Sequence, residues 1–355
     1  MKLAIVSWRS PFAGGSIDEI RNGKLVRLAQ TMLTTVIGRT IAVEQDVLDR
    51  PLGRAALIAR GVSGVVKFRA MPRLLYLAFV LPLILGMPAA AAPPASEWAF
   101  WDQANPASTA RIEHTLWDGL LARYVVPGSD GINRVRYAAV TREDRQALAA
   151  DLDRLAGVPV RALNRAEQMA YWINLYNELT VKIVLDHYPV RSIRDIAISP
   201  GLFATGPWGR KLITIEGQAV SLDDIEHRIL RPIWRDPRVH YAVNCAALGC
   251  PNLARRAYDA QGLETMLEVA ARTYVNHPRG SSVVDGKLVV SSIYVWFKDD
   301  FGGDDAGVIQ HLKHYAEPAL ARGLSLITRI DADRYDRRLN DAAASNQVGL
   351  SGFAE

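Results

Sequence analysis

The sequence predicts an α+β fold, a single globular domain of helices with short antiparallel hairpins. Apolar residues recur at helical spacing over Tyr171–His187 and Leu263–Val275. Glu216-Gly217 and Asp285-Gly286 stand between short β-prone runs, a pattern typical of two-residue hairpin turns. Helices and hairpins alternate without the regular order of a parallel sheet, which favours α+β.

The elements follow in chain order. Tyr171–His187 is a helix ended by Pro189, and Leu212–Ile215 pairs with Gln218–Val220 around a turn. Ser221–Asp224 resembles a capping box, with Asp in place of Glu, and opens a helix that Pro232 stops.

Four further elements complete the prediction. Val239–Val243 is expected to be a buried strand, and Leu263–Val275 is a helix because Leu263, Met266 and Leu267 share a face. Val283–Val290 is a hairpin, and Ala306–Leu320 is a helix.

Charge is unevenly distributed along the 355 residues. The net charge is +5, but 12 of the 42 basic and 5 of the 37 acidic residues lie within residues 1–73, which leaves −2 for the rest. The basic excess therefore lies outside the globular part, and we expect no nucleic-acid partner.

An export signal is predicted at Met71–Ala92. Lys67, Arg69 and Arg73 precede an apolar run, and Ala89–Ala92 supplies small residues of the kind found at cleavage sites. The apolar run is short for a transmembrane helix, which needs about 20 apolar residues. The prediction is a cleaved signal peptide, with an N-terminal anchor as the alternative.

This signal divides the chain into three parts. Residues 1–70 are interpreted as a non-native upstream extension or a short cytoplasmic segment, 71–92 as the signal, and 93–355 as the globular domain. The expected location is periplasmic or secreted, with membrane contact only through an uncleaved anchor.

Reactive side chains concentrate between Asp223 and Pro251. Cys245 and Cys250 are the only cysteines in the chain. Cysteines of an exported protein usually pair, and five positions with Gly249 between them permit a disulfide.

The same residues permit a thiol nucleophile. Cys245 would attack, His227 would serve as base and Glu226 or an asparagine would orient the imidazole. His240 suits the role of base less well, because in an extended segment it faces away from Cys245.

A metal site built from His227, His240, Cys245 and Cys250 is the third interpretation. The two histidines stand 13 positions apart, unlike the close pairs of zinc motifs. We therefore expect neither a metal nor a cofactor.

Asn174 and Asn177 lie three positions apart on one face of the first predicted helix. Asparagine is an indifferent helix former, so the pair indicates either a polar network to a neighbouring loop or the lining of a pocket. Together with His240, these residues are the candidate substrate-binding set.

Six ordered motifs resemble the domain of unknown function 547 family. They are Tyr171–Asn177, Asp224–His227, Asp236–His240, Asn244–Pro251, Val290–Phe297 and Tyr335–Asn340. The family's last motif usually reads Tyr-Asp-Trp-Ser-Leu-Asn, and here Arg337 and Arg338 occupy the two middle positions. The resemblance implies an α+β domain found in exported bacterial proteins and in larger eukaryotic chains, and it implies no established activity.

Two functions follow as hypotheses. The first is a thiol-dependent hydrolase or transferase acting on an amide, peptide or ester. The second is a non-catalytic, envelope-associated binding domain with a structural Cys245–Cys250 disulfide. Either one has an unknown small-molecule or peptide ligand.

Overall fold

A computed structural model describes residues 93–201 and 204–344. The predicted signal and the segment before it lie outside these residues. Besides short 3₁₀ turns, the described helices are a π-helix, Asp224–Leu230, and α1 Thr115–Tyr124, α2 Arg142–Ala156, α3 Arg165–His187, α4 Arg231–Trp234, α5 Val239–Ala242, α6 Leu263–Val275, α7 Ile293–Trp296, α8 Asp305–Tyr315 and α9 Pro318–Leu324. The strands are β1 Val125–Pro127, β2 Asn133–Val135, β3 Ile213–Ile215, β4 Gln218–Val220, β5 Ser281–Val284, β6 Lys287–Ser291 and β7 Ala332–Arg334.

Helix α3 forms the centre of the larger hydrophobic core. The Asn164 side chain caps its first turn by accepting a hydrogen bond from the Glu167 N–H. Most of its side chains are buried, including Trp172 and Tyr176 at 1% exposure each. A helix buried on nearly every face must satisfy its polar side chains inside the protein, and α3 does this at the site described below.

The two predicted hairpin turns are confirmed. Strands β3 and β4 pair antiparallel around Glu216 and Gly217, and β5 and β6 do so around Asp285 and Gly286. All four turn residues have positive φ, the backbone that such two-residue turns require. A third short hairpin joins β1 to β2, and β7 adds in parallel to β6. The α+β fold is therefore confirmed.

A second hydrophobic cluster surrounds α6, α8 and the β5–β6 hairpin. Its buried aromatic residues include Tyr241, Tyr274, Tyr294 and Phe301. This cluster positions the segment Ile293–Phe301, which ends at the candidate site.

The prediction of a strand at Val239–Val243 is wrong, because Val239–Ala242 forms helix α5. The Asp236 side chain accepts a hydrogen bond from the Arg238 N–H, and Pro237 follows with the φ that begins a helical turn. This short helix is buried on all sides, so its sequence lacks the polar face that marks a helix. A short apolar run of this kind cannot be told from a buried strand by its periodicity.

The sequence predicted that Pro232 stops its helix, and this prediction is wrong. The capping box is present, since Ser221 and Asp224 exchange side-chain and backbone hydrogen bonds. The chain then continues as the π-helix and α4 through Trp234. Proline cannot bond to the carbonyl four residues earlier, and that carbonyl, on Arg228, accepts from the Trp98 N–H instead.

The predicted helix Ala306–Leu320 is divided in two. Helix α8 ends at Tyr315, and α9 begins at Pro318. The residue before a proline disfavours helical backbone, and Glu317 is extended, with φ −71° and ψ 163°. Within 93–201 and 204–344, no helix has the length and apolar character needed to cross a bilayer.

Candidate functional site

A cluster of buried ionisable side chains lies where the π-helix, α4, α5 and the turn after α7 meet. The π-helix contributes Glu226 and His227, α4 contributes Arg231, α5 contributes His240, and the turn contributes Asp300. The structure thus brings together three of the predicted site residues and adds two that the sequence did not single out.

Asp300 is the acceptor at the centre of this cluster. Its Oδ2 accepts from His240 Nε2 at 2.7 Å and from Arg231 Nε at 2.5 Å. Burial alone would raise the pKa of Asp300, but these two hydrogen bonds outweigh it and lower the pKa to about 2. Asp300 is therefore a carboxylate throughout the physiological pH range.

Glu226 and His227 lie beside this pair. Glu226 Oε1 is 3.7 Å from His240 Nδ1, and burial raises the pKa of Glu226. His227 Nδ1 accepts a hydrogen bond from Arg231 Nη1 at 3.1 Å. Burial, aided by the Arg231 charge, lowers the pKa of His227 to about 4. His227 is neutral at pH 7, as a base must be.

Phe297 covers the cluster with an aromatic face. Its ring stacks on His240 at 4.3 Å between centroids, and the Arg231 guanidinium lies 4.7 Å from its centre. A cation over an aromatic ring is stabilised by the ring's quadrupole, and this holds Arg231 toward Asp300.

Cys245 and Cys250 form a disulfide, with Cα atoms 6.2 Å apart. The Tyr335 hydroxyl lies 3.0 Å from both sulfurs. In this oxidised form Cys245 has no thiol, and among the described residues no hydrogen bond joins its sulfur to His227. A nucleophilic Cys245 paired with His227 and Glu226 stays a prediction about the reduced protein.

Tyr335 contacts both sulfurs and packs on Trp296, with ring centroids 4.9 Å apart. Burial raises the pKa of Tyr335 well above its ordinary value, and the charge of Glu226 raises it further. Burial raises the pKa of Tyr176 well above its ordinary value, and the charge of Glu226 raises it further. The charge of Glu226 therefore acts on Tyr335, the residue whose hydroxyl contacts the disulfide.

The disulfide loop also holds the C-terminal segment. The N–H groups of Leu248 and Gly249 donate to the carbonyls of Arg338 and Asp336 at 2.9 and 2.8 Å. A Cβ on Gly249 would lie 2.8 Å from the Asp336 nitrogen, so only glycine permits this approach.

Asn174 and Asn177 tie α3 to two loops. Asn174 exchanges two hydrogen bonds with the backbone of Tyr258. Asn177 donates to the Ala242 carbonyl at 3.0 Å and accepts from the Asn244 N–H at 2.8 Å. Both amides are at most 2% exposed, so they organise backbone, and contact with a substrate stays a prediction.

The four residues of the metal interpretation fall into two pairs. His227 and His240 lie in the ion cluster, whereas both cysteine sulfurs are bonded to each other. In the part of the chain that the structure describes, no group of three or more His, Cys, Asp or Glu side chains is arranged to hold a metal ion.

Sequence reasoning missed Arg231, Asp300 and Tyr335 as members of the site. Asp300 lies just after the aromatic run Tyr294–Phe297, which is typical of a core segment. Arg231 lies directly before Pro232, where the sequence predicted only the end of a helix. The signal for Asp300 was an acidic residue directly before Phe301, since a carboxylate in an apolar run needs a partner.

A cavity of about 430 Å³ opens beside Arg231 and Asp300. It is lined by Ala95, Glu97, Arg231, Pro232, Arg235, Asp236, Asp299 and Asp300. The segment Pro93–Trp98 forms one wall, because its Ser96 and Trp98 N–H groups donate to carbonyls of the π-helix. The Pro93 carbonyl accepts from Arg231 Nη1 at 2.9 Å.

Comparison with known proteins identifies one family. Residues 160–275 match the family described as Protein of unknown function, DUF547. The matched segment contains all the predicted site residues, whereas Asp300 and Tyr335 lie beyond it. No curated protein and no solved structure is significantly similar to the chain. Similarity to the DUF547 family is therefore shown for residues 160–275 of the chain.

Proposed function

We propose that the domain is a non-catalytic, envelope-associated binding domain with a structural disulfide. The observation that carries the proposal is the Cys245–Cys250 bond, which occupies the only thiols of the chain. The bond lies in a loop that supports the C-terminal segment, as expected of a structural disulfide in an oxidising compartment.

The ligand is a small polar molecule or a short peptide that binds in the cavity beside Arg231 and Asp300. The volume of this cavity, about 430 Å³, lies within the usual range of small-molecule sites. Six of the eight lining residues are charged and both signs occur, which favours a ligand with an ammonium and a carboxylate group. Glu97, Arg235 and Asp299 are the lining charges that form no ion pair among the described residues and are free to meet such groups.

We propose that the domain lies in the periplasm of a bacterial cell or is secreted from it. Its support is the predicted signal at Met71–Ala92, directly before the segment that forms the cavity wall. Cell fractionation of a C-terminally tagged full chain, with mass spectrometry of the mature N-terminus, tests it. A tagged protein that keeps residues 1–70 and stays in the cytoplasm would overturn this part.

The binding proposal is tested by thermal shift with a panel of free amino acids and defined di- and tripeptides. We expect at least one compound to raise the melting temperature, and Arg235→Gln or Asp299→Asn to abolish that rise. Arg255→Gln, outside the cavity, serves as the matched control. No response to any compound, or a response unchanged in both cavity variants, would contradict the proposed cavity.

The second candidate is the thiol-dependent hydrolase or transferase acting on an amide, peptide or ester. It is favoured by the Tyr335 hydroxyl, 3.0 Å from both sulfurs, which could donate a hydrogen bond to a thiolate after reduction. Hydrolysis of p-nitrophenyl acetate by the reduced protein, lost in Cys245→Ala, would support this function. Equal rates in the reduced protein and in Cys245→Ala would exclude Cys245 as its nucleophile.

A further inference from the structure

A second cavity, of about 670 Å³, lies between the start of α1, the first turn of α3 and the segment before α6. Residues 111–118 form one wall, Glu167 of α3 belongs to another, and residues 256–262 form the third. None of these residues lines the cavity beside Arg231, so the two cavities are separate. The volume of the second cavity leaves room for a small organic ligand.

Hydrogen bonds from two long helices hold the walls of this cavity. The Asn174 side chain on α3 exchanges hydrogen bonds with the backbone of Tyr258, at 2.8 and 2.9 Å. Arg154 Nη2 on α2 donates to the Glu113 carbonyl at 2.8 Å. Because both wall segments are fixed to the helices in this way, the cavity is a preformed feature of the fold.

Two carboxylates in the walls bind backbone with one oxygen each. Asp118 Oδ1 accepts from the Ala257 N–H, and Glu167 Oε2 accepts from the Ile112 N–H at 3.3 Å. Across the described residues neither carboxylate forms an ion pair, although Glu167 is only 7% exposed. Burial of a charge without a counter-ion is costly, so the second oxygen of each carboxylate is suited to a donor group of a ligand.

Acidic side chains outnumber basic ones among the free charges of the cavity. Arg256 and Asp259 form an ion pair at 2.6 Å. In the part of the chain that the structure describes, the other charged lining residues form no ion pair, and they are Arg111, Glu113, Asp118 and Glu167. Three carboxylates and one arginine therefore remain, and this balance favours a positively charged ligand.

His114 lines the same cavity and lacks a hydrogen-bond partner. It is 8% exposed, and among the described residues neither ring nitrogen is bonded. Burial lowers its pKa to about 4, so the imidazole is neutral at pH 7 and keeps one nitrogen lone pair as an acceptor. An unsatisfied buried acceptor costs free energy, and a donor group of a ligand would remove that cost once the ring turns a nitrogen toward it. This unsatisfied imidazole points to a ligand independently of the lining charges.

We propose that this cavity binds an organic cation with two ammonium groups, a diamine. The two ammonium groups match the excess of two carboxylates over arginine among the free charges. They would donate to the unbonded oxygens of Asp118 and Glu167 and to a ring nitrogen of His114. This site is separate from the cavity beside Arg231 and does not depend on the function proposed for it.

The test is calorimetric titration of the purified protein with 1,4-diaminobutane, at an ionic strength held constant with sodium chloride. We expect wild type to bind the diamine and not to bind succinate, a dianion of the same chain length. Glu167→Gln and Asp118→Asn should bind roughly tenfold more weakly, because an amide oxygen still accepts the backbone N–H but carries no charge. His114→Phe, which keeps an aromatic ring and removes both nitrogens, should also weaken binding without lowering the melting temperature.

Glu113→Gln keeps the test decisive if a variant at a buried position fails to fold. The Glu113 side chain is exposed and forms no hydrogen bond with the described residues, so the substitution should leave the fold unchanged. We expect it to lower the affinity for the diamine about threefold, the effect of one exposed charge.

Glu143→Gln is the matched control, because it removes an exposed carboxylate on α2 outside the cavity. We expect its affinity to equal that of wild type. Asp299→Asn, in the cavity beside Arg231, should also leave the affinity for 1,4-diaminobutane unchanged, which separates this test from that of the other cavity. Absence of binding by wild type, equal binding of succinate, or equal losses in Glu113→Gln and Glu143→Gln would overturn the site.

Discussion

His240 Nε2 lies 2.7 Å from Asp300 Oδ2, and the same oxygen accepts from Arg231 Nε at 2.5 Å. One carboxylate therefore satisfies two side chains that are almost fully buried, Arg231 at 4% and His240 at 2% side-chain exposure. The arrangement joins helices α4 and α5 to the turn after α7.

Asp300→Asn should destabilise the fold strongly, because it leaves the buried Arg231 charge without a counter-ion. Loss of one partner of a buried ion pair costs about 3–5 kcal/mol, and the 21% exposure of Asp300 favours the low end. Urea unfolding measures the change. Asp299→Asn, at the exposed neighbouring position, should stay within about 0.5 kcal/mol of wild type. Equal effects of the two variants would refute a central role for Asp300.

Native protein should contain no free thiol, because its two cysteines are bonded. We expect iodoacetamide to label neither cysteine before reduction and both after reduction and unfolding. The double variant Cys245→Ala, Cys250→Ala should lose about 2 kcal/mol of stability, the value expected for so short a loop. Hydrogen exchange should then rise at Leu248 and Gly249, whose N–H groups hold the C-terminal segment. Labelling of native protein would contradict the disulfide.

Asn177→Ala should lower stability by about 2–6 kcal/mol. The substitution leaves the Ala242 carbonyl and the Asn244 N–H, both buried, without their side-chain partner, and each such loss costs about 1–3 kcal/mol. Thermal unfolding measures the effect. Asn105→Ala is a milder asparagine substitution for comparison, because Asn105 is exposed and its side chain accepts a single local hydrogen bond, from the Ala107 N–H. If Asn177→Ala changed ligand binding without changing stability, the structural role given to this amide would be wrong.

His114→Leu should be more stabilising at pH 5 than at pH 7. His114 is 8% exposed, and neither ring nitrogen has a hydrogen-bond partner in the described part of the chain. Burial lowers its pKa from 6.5 to about 4, and Arg154 adds to this while Asp151, Asp118 and Asp259 oppose it.

The sign of the pH effect follows from that lowered pKa. The unfolded chain takes up a proton at His114 below pH 6.5, whereas the folded protein does so only near pH 4. Wild type therefore loses up to about 1.4 kcal/mol per pH unit from this group between pH 6.5 and 4, and the leucine variant does not. Urea unfolding of both proteins at pH 7 and 5 measures the difference. A gap between the two proteins that stays constant with pH would show that His114 titrates normally.

The sequence by itself determined the elements whose signals are local. Hairpin turns at Glu216-Gly217 and Asp285-Gly286 depend on backbone preferences of adjacent residues, and helix α3 depends on spacing within one segment. The DUF547 resemblance and the possibility of a disulfide were also visible, since both rest on residue identity and separation. Signal, domain limits and location remain predictions.

Tertiary structure decided everything that depends on distant contacts. Val239–Ala242 became a helix rather than a strand, because burial on every side removes the amphipathic pattern that separates the two. Pro232 sits within a continuous helix because Trp98, far away in sequence, takes the carbonyl that the proline cannot use. Asp300 contacts His240 and Arg231, which are 60 and 69 residues away in sequence. A buried charge is stable only where the fold supplies its partner, and local sequence cannot specify that partner.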